Sequence, residues 1–393
     1  MRNGKRTMMA VSTLSLLLLA VPGLAREKGK EAPAARTFTV EVKVPHTPVR
    51  DQYWTGTCWD FATTSFLEAE SLRLGRGEFD LSEMHTVRHT YPAKARNYVR
   101  LSGGATFGQG GQAHDVIDAV ARYGAVPEAA YSGLNIGERR HNHGELYAVL
   151  KAMLDAVLKR QGQRVTARWP EAVEAVLDAY LGQPPERFDY QGKSYTPRTF
   201  ADEVLRLPLD RYVELTSYSH HPFHAPCRLE IPDNWSLNGN YYNLPLDELE
   251  AAIDHALRNG YTVVWDGDVS EKEFSTRETG YAIVPQKSWE DKTQAEREAK
   301  PTAAEPELAI TQELRQQTFD NQTTTDDHLM HLVGLARDSQ GNKFYWVKNS
   351  GGTDRKNGGY LYMSRSYLRL KTVAVMLHRD ALPGETAARL RLE

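Results

Sequence analysis

Hydrophobic positions follow a helical period in four stretches of this chain and a strand-like pattern near its end. After Cys58, the residues Trp59, Ala62, Phe66, Ala69 and Leu72 recur at steps of three and four, which marks one face of a helix. Gly75 is a fitting stop for that helix. A second amphipathic stretch follows Gly110 and Gly111 and ends at Gly124. Two more, "ELYAVLKAMLDAVLKR" and "WPEAVEAVLDAYLG", lie between His141 and Asn240. The pattern then changes. His328 to Ala336 is an apolar-rich strand, "DSQGN" is a turn cluster, and "KFYWVKN" is a second strand, so the three form a hairpin.

The first residues have another character. Arg2, Lys5 and Arg6 precede the apolar run "MMAVSTLSLLLLAVPG", and "GLA" at Gly23 to Ala25 offers small residues for a signal peptidase. The run is short and ends at Pro22 and Gly23, so residues 1–25 read as a cleaved secretory signal, not a membrane span. No cysteine follows the cut, so no stable membrane anchor is expected, and the mature chain would be periplasmic or extracellular. The chain has 393 residues, of which 40% are hydrophobic and 25% charged, enough for a sizeable core. A net charge of −3 and the lack of a basic block argue against a nucleic-acid partner.

Only two cysteines are present, Cys58 and Cys227. An exported chain could join them in a disulfide. The surroundings of Cys58 suggest a reactive thiol instead. "TGT" before it is poor helix material, which places Cys58 at the first turn of a helix. Unpaired N–H groups and the positive end of the helix dipole favour a thiolate there. Gln52, six residues upstream, brings a side-chain amide that could stabilise an oxyanion together with the Cys58 backbone N–H.

"QYWTGTCWDFA" resembles the active-site segment of papain-like cysteine peptidases, Q-x5-C-W-x-F-A, with Gln52, Gly56, Cys58, Trp59, Phe61 and Ala62 in register. The resemblance implies a histidine and an asparagine that complete the site. The hairpin supplies both: His328 starts one strand and Asn349 ends the other. His328 lies six residues before Gly334, the family's spacing, whereas the rival His331 lacks that spacing and lies on the opposite face. The family's N-S-W-G motif becomes "NSGG" here; Gly351 stands in place of a tryptophan that shields the His–Asn bond, which should leave that bond wetter.

"GGQ…YGAVPE", "TFADEVLRLPLDRYVELTS", "NGYTVVWDGDVSE" and "GGYLYMSRSYL" are similar to the bleomycin hydrolase and aminopeptidase C branch of that family. This resemblance implies an α+β, papain-like two-part fold. A helical half (26–140) carries the nucleophile, a helical insertion (141–240) follows, and a β-rich half (241–393) carries the histidine and asparagine. Cys58 would be the nucleophile, His328 the general acid/base, Asn349 its orienting partner and Gln52 an oxyanion donor; Gly110, Gly111 and Trp59 would line the substrate channel. Peptides would be the substrates, and the insertion would support a homo-oligomer, a hexamer in relatives. In those relatives a C-terminal arm places its carboxylate on the substrate's amino group. This chain stops at Glu393 without an evident arm, which leaves endopeptidase activity open beside aminopeptidase activity.

Other signals are weaker. "SHHPFHAPC" gathers His220, His221, His224 and Cys227, but at no standard metal spacing. "DGDVSE" lacks the ligands of a calcium loop, and "KSWEDKTQAEREAKPTAAEPEL" reads as an exposed linker. No metal and no cofactor is expected. Two other classes stay open: a papain-like shell kept for binding or assembly, and a transglutaminase-like acyl transferase, against which the Gln52 spacing argues.

Overall fold

The computed structural model describes residues 36–159, 164–289, 291–298 and 305–392; the signal-like residues 1–25 lie outside them. After a first strand come five helices: α1 (Cys58–Arg73), α2 (Glu83–Arg100), α3 (Ala113–Tyr123), α4 (Gly144–Leu158) and α5 (Trp169–Leu181). α1 starts at the predicted residue and stops just before Gly75, whose φ of +68° is a conformation that glycine adopts without strain. The pattern predicts one apolar face, but every residue from Cys58 to Ser71 is buried. α1 is a central helix, packed against α2 and α3 on one side and against the sheet on the other.

The strands are β1 (Phe38–Lys43), β2 (Phe188–Tyr190), β3 (Lys193–Tyr195), β4 (Tyr212–Thr216), β5 (Ala225–Cys227), β6 (Tyr241–Asn243), β7 (Val263–Gly267), β8 (Phe274–Ser275), β9 (Tyr281–Ala282), β10 (His328–Asp338), β11 (Lys343–Lys348), β12 (Tyr360–Ser364) and β13 (Thr372–His378). β2 and β3 pair as a small hairpin. The others form one sheet in the order β5-β6-β4-β13-β7-β10-β11-β12-β9-β8, with β1 also paired to β10. The predicted hairpin is β10–β11. Its turn is held by Asp338, whose Oδ1 accepts the N–H groups of Gln340 and Asn342 at 3.0 and 2.8 Å.

The interval 141–240 is not helical throughout. α4 and α5 pack on α2, but β4 pairs antiparallel with β13 and so enters the main sheet. A run of five residues with four buried in succession satisfies its backbone only inside a sheet of this kind.

Two cores result. One gathers Trp59, Phe66, Val87, Leu146 and Leu177 from the helices. The other gathers Trp265, Leu332, Val347 and Leu377 from the sheet with Ile253 of the helix Leu246–Arg258. Leu329 and Val264, on strands of the sheet, belong to the helical core, so the layers meet along α1 and the start of β10.

Candidate active site

Cys58 opens α1, and Thr57 provides no side-chain cap. Among the described residues, the Cys58 backbone N–H has no hydrogen-bond partner, so it is free to meet an incoming acceptor. Gln52 reaches the same region. Its Nε2 donates to the Thr55 carbonyl at 2.7 Å, and its Oε1 accepts from Ser350 Oγ at 2.5 Å. The amide is thereby fixed in orientation, and its second N–H remains available.

His328 and Asn349 come together from the two ends of the hairpin, as the sequence predicts. His328 Nε2 lies 2.8 Å from Asn349 Oδ1. That oxygen also accepts the Ser350 N–H at 2.7 Å. Because Asn349 Oδ1 accepts, Nε2 carries the proton and Nδ1 has its lone pair free. The Leu329 backbone, next to His328, lies against the Cys58 sulfur. His331 is on the other face, buried, with Nδ1 2.8 Å from Ser65 Oγ of α1. Lys348, beside Asn349, donates to the same Ser65 Oγ at 2.7 Å and to Thr47 at 3.1 Å. Thr47 in turn donates to Glu68 of α1 at 2.5 Å. This buried network clamps the helix that carries Cys58 to the hairpin that carries His328 and Asn349.

The electrostatics differ from expectation. Burial pushes the Cys58 thiol up to about 12; the Leu329 backbone opposes this, and the charges of Asp233, Asp266 and Asp326 add to it. Burial holds His328 below its ordinary value, with the Asn349 bond opposing. Among the described residues no hydrogen bond joins the sulfur to the imidazole. Burial thus favours the uncharged form of both groups in the free protein. The helix N-terminus alone would favour a thiolate, but burial and three nearby carboxylates outweigh it.

Two of the residues expected at the substrate channel have other surroundings. Trp59 is 1% exposed, and its Nε1 donates to the Gln109 carbonyl at 3.0 Å. It supports the loop before α3 from beneath, since a large indole at the centre of a packed core has no free face. A Cβ on Gly111 would lie 3.0 Å from that indole, so a glycine is needed there for packing. Gly110 is half-buried, and a Cβ on it would lie 1.7 Å from Asp233 Oδ2. A carboxylate therefore rests directly on it.

Cys58 and Cys227 are both free thiols, and Cys227 is buried in β5. Of the "SHHPFHAPC" side chains, His220 and His221 converge on Glu230 Oε2 at 3.2 and 2.9 Å, and the three could hold a cation. His224 pairs elsewhere, with Glu248 at 3.0 Å. Asp268, in "DGDVSE", closes a turn with Ser270 and pairs with Lys371 at 3.0 Å.

Sequence reasoning missed Asp233, Asp266 and Asp326. A signal existed for Asp266: it is the one charged residue in the buried strand "VVWDG".

A profile of the Peptidase C1-like family matches residues 99–393, and the chain belongs to that family. The matched segment contains His328 and Asn349, while Cys58 and Gln52 precede it. Aminopeptidase G of Lactobacillus delbrueckii subsp. lactis is 23% identical over 391 residues, covering 88% of this chain and 84% of the relative. Aminopeptidase C of Lactococcus lactis subsp. lactis (strain IL1403) is 23% identical over 399 residues, covering 92% and 87%. Among solved structures, PepW from Lactobacillus rhamnosis hn001 (dr20) superposes with a TM-score of 0.67 at 18% identity, covering 90% of this chain and 84% of that one. The fold is α+β and papain-like, and the protein is a cysteine peptidase similar to aminopeptidase C and bleomycin hydrolase.

Proposed function

We propose that the protein hydrolyses peptides through Cys58, His328 and Asn349, as an aminopeptidase. The observation that carries this reading is the His328–Asn349 bond of 2.8 Å beside the open end of α1. Substrate closing over the sulfur brings the imidazole Nδ1 to the thiol. The Cys58 proton passes to Nδ1 as sulfur attacks the scissile carbonyl carbon. Asn349 keeps the ring in the tautomer that can accept it. The Cys58 N–H and the free Gln52 N–H meet the developing oxyanion. The imidazolium then protonates the leaving amine, and water, deprotonated by the same ring, releases the acyl group from sulfur.

The relatives are named aminopeptidases, which supports attack at the first peptide bond. Export through residues 1–25 and assembly into a hexamer belong to the same proposal. The test uses peptides with free or acetylated N-termini, under mild reduction, read by mass spectrometry. Stepwise loss of N-terminal residues that vanishes in Cys58→Ala is the expected result. Internal cuts that ignore acetylation would make it an endopeptidase, and no Cys58-dependent cleavage would leave a binding shell.

A further inference from the structure

The turn after β4 and the segment after β5 bring three metal donors to one point, outside the site already described. His220 and His221 lie in the turn, and Glu230 lies just past β5. His220 Nε2 is 3.2 Å and His221 Nε2 2.9 Å from Glu230 Oε2. The three ligating atoms all lie within 4.8 Å of one another. Metal bonds of roughly 2.0–2.1 Å at tetrahedral angles hold neighbouring nitrogen and oxygen ligands about 3.3 Å apart. Small side-chain movements would therefore admit an ion between them. Spacing within "SHHPFHAPC" argues against a metal only because the third donor lies outside that motif. Two of its other polar side chains go elsewhere: His224 pairs with Glu248, and Cys227 is buried in β5.

The fold holds these donors in place. Buried Asn243 of β6 pins the turn: its Nδ2 donates to the Tyr218 and His221 carbonyls at 2.8 and 3.0 Å, and its Oδ1 accepts the Tyr218 N–H at 2.8 Å. The Ser219 N–H donates to Gln316 Oε1 at 2.6 Å. The His220 ring stacks on Phe319, with centroids 5.7 Å apart and planes 12° apart. Its Nδ1 faces the Gln316 amide, 3.3 Å from the oxygen and 3.0 Å from the nitrogen. Gln316 and Phe319 both belong to the helix Gln312–Asp320. When the amide oxygen accepts the Nδ1 proton, Nε2 keeps its lone pair for a metal, the usual way in which a further partner orients a ligating imidazole. Hydrogen bonds alone would crowd two N–H donors onto one oxygen. They would also set two rings 4.2 Å apart against a single carboxylate. The side chains are 32%, 21% and 46% exposed, so an ion can enter and water can complete its coordination.

We propose that His220, His221 and Glu230 bind one divalent transition-metal ion of the zinc class, with water in the remaining position. Two imidazoles and a carboxylate form a nitrogen and oxygen donor set that suits zinc, cobalt or nickel better than calcium or magnesium. The ion ties the turn after β4 to the chain after β5. Through Gln316 it also braces the helix Gln312–Asp320, from which the chain runs on into His328 and β10. Its role is to hold these segments together, not to take part in peptide cleavage, so the proposal stands whether or not Cys58 is a nucleophile.

The test uses the protein with Cys58→Ala, so that this thiol cannot take the ion, purified without a histidine tag and stripped with EDTA. Zinc chloride is titrated into it in a calorimeter, and one ion per chain should bind. Glu230→Gln and His221→Ala, added singly, should each abolish that binding, while circular dichroism of the metal-free variants matches the parent. Gln316→Ala keeps all three donors and should weaken binding about tenfold to a hundredfold, which keeps the proposal testable should a ligand variant fail to fold. Zinc should raise the melting temperature of the parent and leave that of Glu230→Gln unchanged. Cobalt in place of zinc should give the visible absorption of a nitrogen and oxygen site; a thiolate charge-transfer band would place Cys227 on the ion and overturn this ligand set. A parent that binds no zinc, or binding that survives both ligand substitutions, overturns the proposal and leaves only a hydrogen-bonded cluster.

Discussion

Cys58 occupies a position whose two influences oppose each other: the first turn of a helix favours its anion, and burial beside carboxylates disfavours it. With the thiol at about 12, alkylation of the free protein by iodoacetamide should be slow at pH 7 and should rise steadily to pH 10 without a plateau near neutrality. Asp326→Asn removes a negative charge beside the thiolate, so its pKa falls and the rate at pH 8 rises. A plateau at pH 6 to 7 in the unmodified protein would show instead that a thiolate–imidazolium pair is already present. Gln52→Ala should reduce kcat by about 10²-fold with a smaller change in KM, because the lost N–H acts on the oxyanion rather than on the bound peptide. Of the site, Gln52 and Cys58 were legible as one local motif, and His328 and Asn349 as the two ends of one hairpin. The three aspartates were not. They come from separate segments, and only the fold gives them a common neighbour.

At the scale of elements, the helices and the hairpin were legible because their periods are sustained. The complete burial of α1 was not, since its Asp60, Glu68 and Glu70 look like a solvent face in sequence. Glu68 instead accepts from Thr47 and from the Leu81 N–H, which turns a charged position into part of the clamp. β4 was hidden in the middle interval because a five-residue strand among helical stretches carries little periodicity. A second tie joins the helix Leu246–Arg258 to the sheet: Glu250 binds Lys343 of β11 at 2.6 Å and both Arg365 and Arg369 at 2.6 Å. Burial alone would raise Glu250, but hydrogen bonds from these three cations bring it down to about 2. A carboxylate held below its unfolded value stabilises fully above about pH 4.5 and loses that contribution as pH falls towards 2. Glu250→Gln should therefore cost about 3 kcal/mol at pH 7 in denaturant unfolding, and the gap to the parent should close at pH 2 to 3. A gap independent of pH would exclude this ion-pair account.

For the whole molecule, two cores meet along α1, so the site lies where the helical and sheet layers join. Neither layer can shift without moving Cys58 relative to the hairpin. Among the described residues no helix is long and apolar enough to cross a membrane. The signal-like start predicts that the chain, expressed in a secreting bacterium, is recovered with Arg26 as its first residue; intact-mass measurement decides this. Light scattering of the purified protein should give six chains per particle if the resemblance extends to assembly.

The carboxylates around the sulfur also bear on inhibition. An electrophile that carries a primary amine would bring its own neutralising charge to these carboxylates and lower the energy of the thiolate that attacks it. An uncharged electrophile of equal intrinsic reactivity would meet a protonated sulfur. Amine-bearing epoxides or chloromethyl ketones should then inactivate this protein faster than their acetylated counterparts by more than their difference in binding. Their selectivity would come from the field around Cys58 as much as from the shape of the channel.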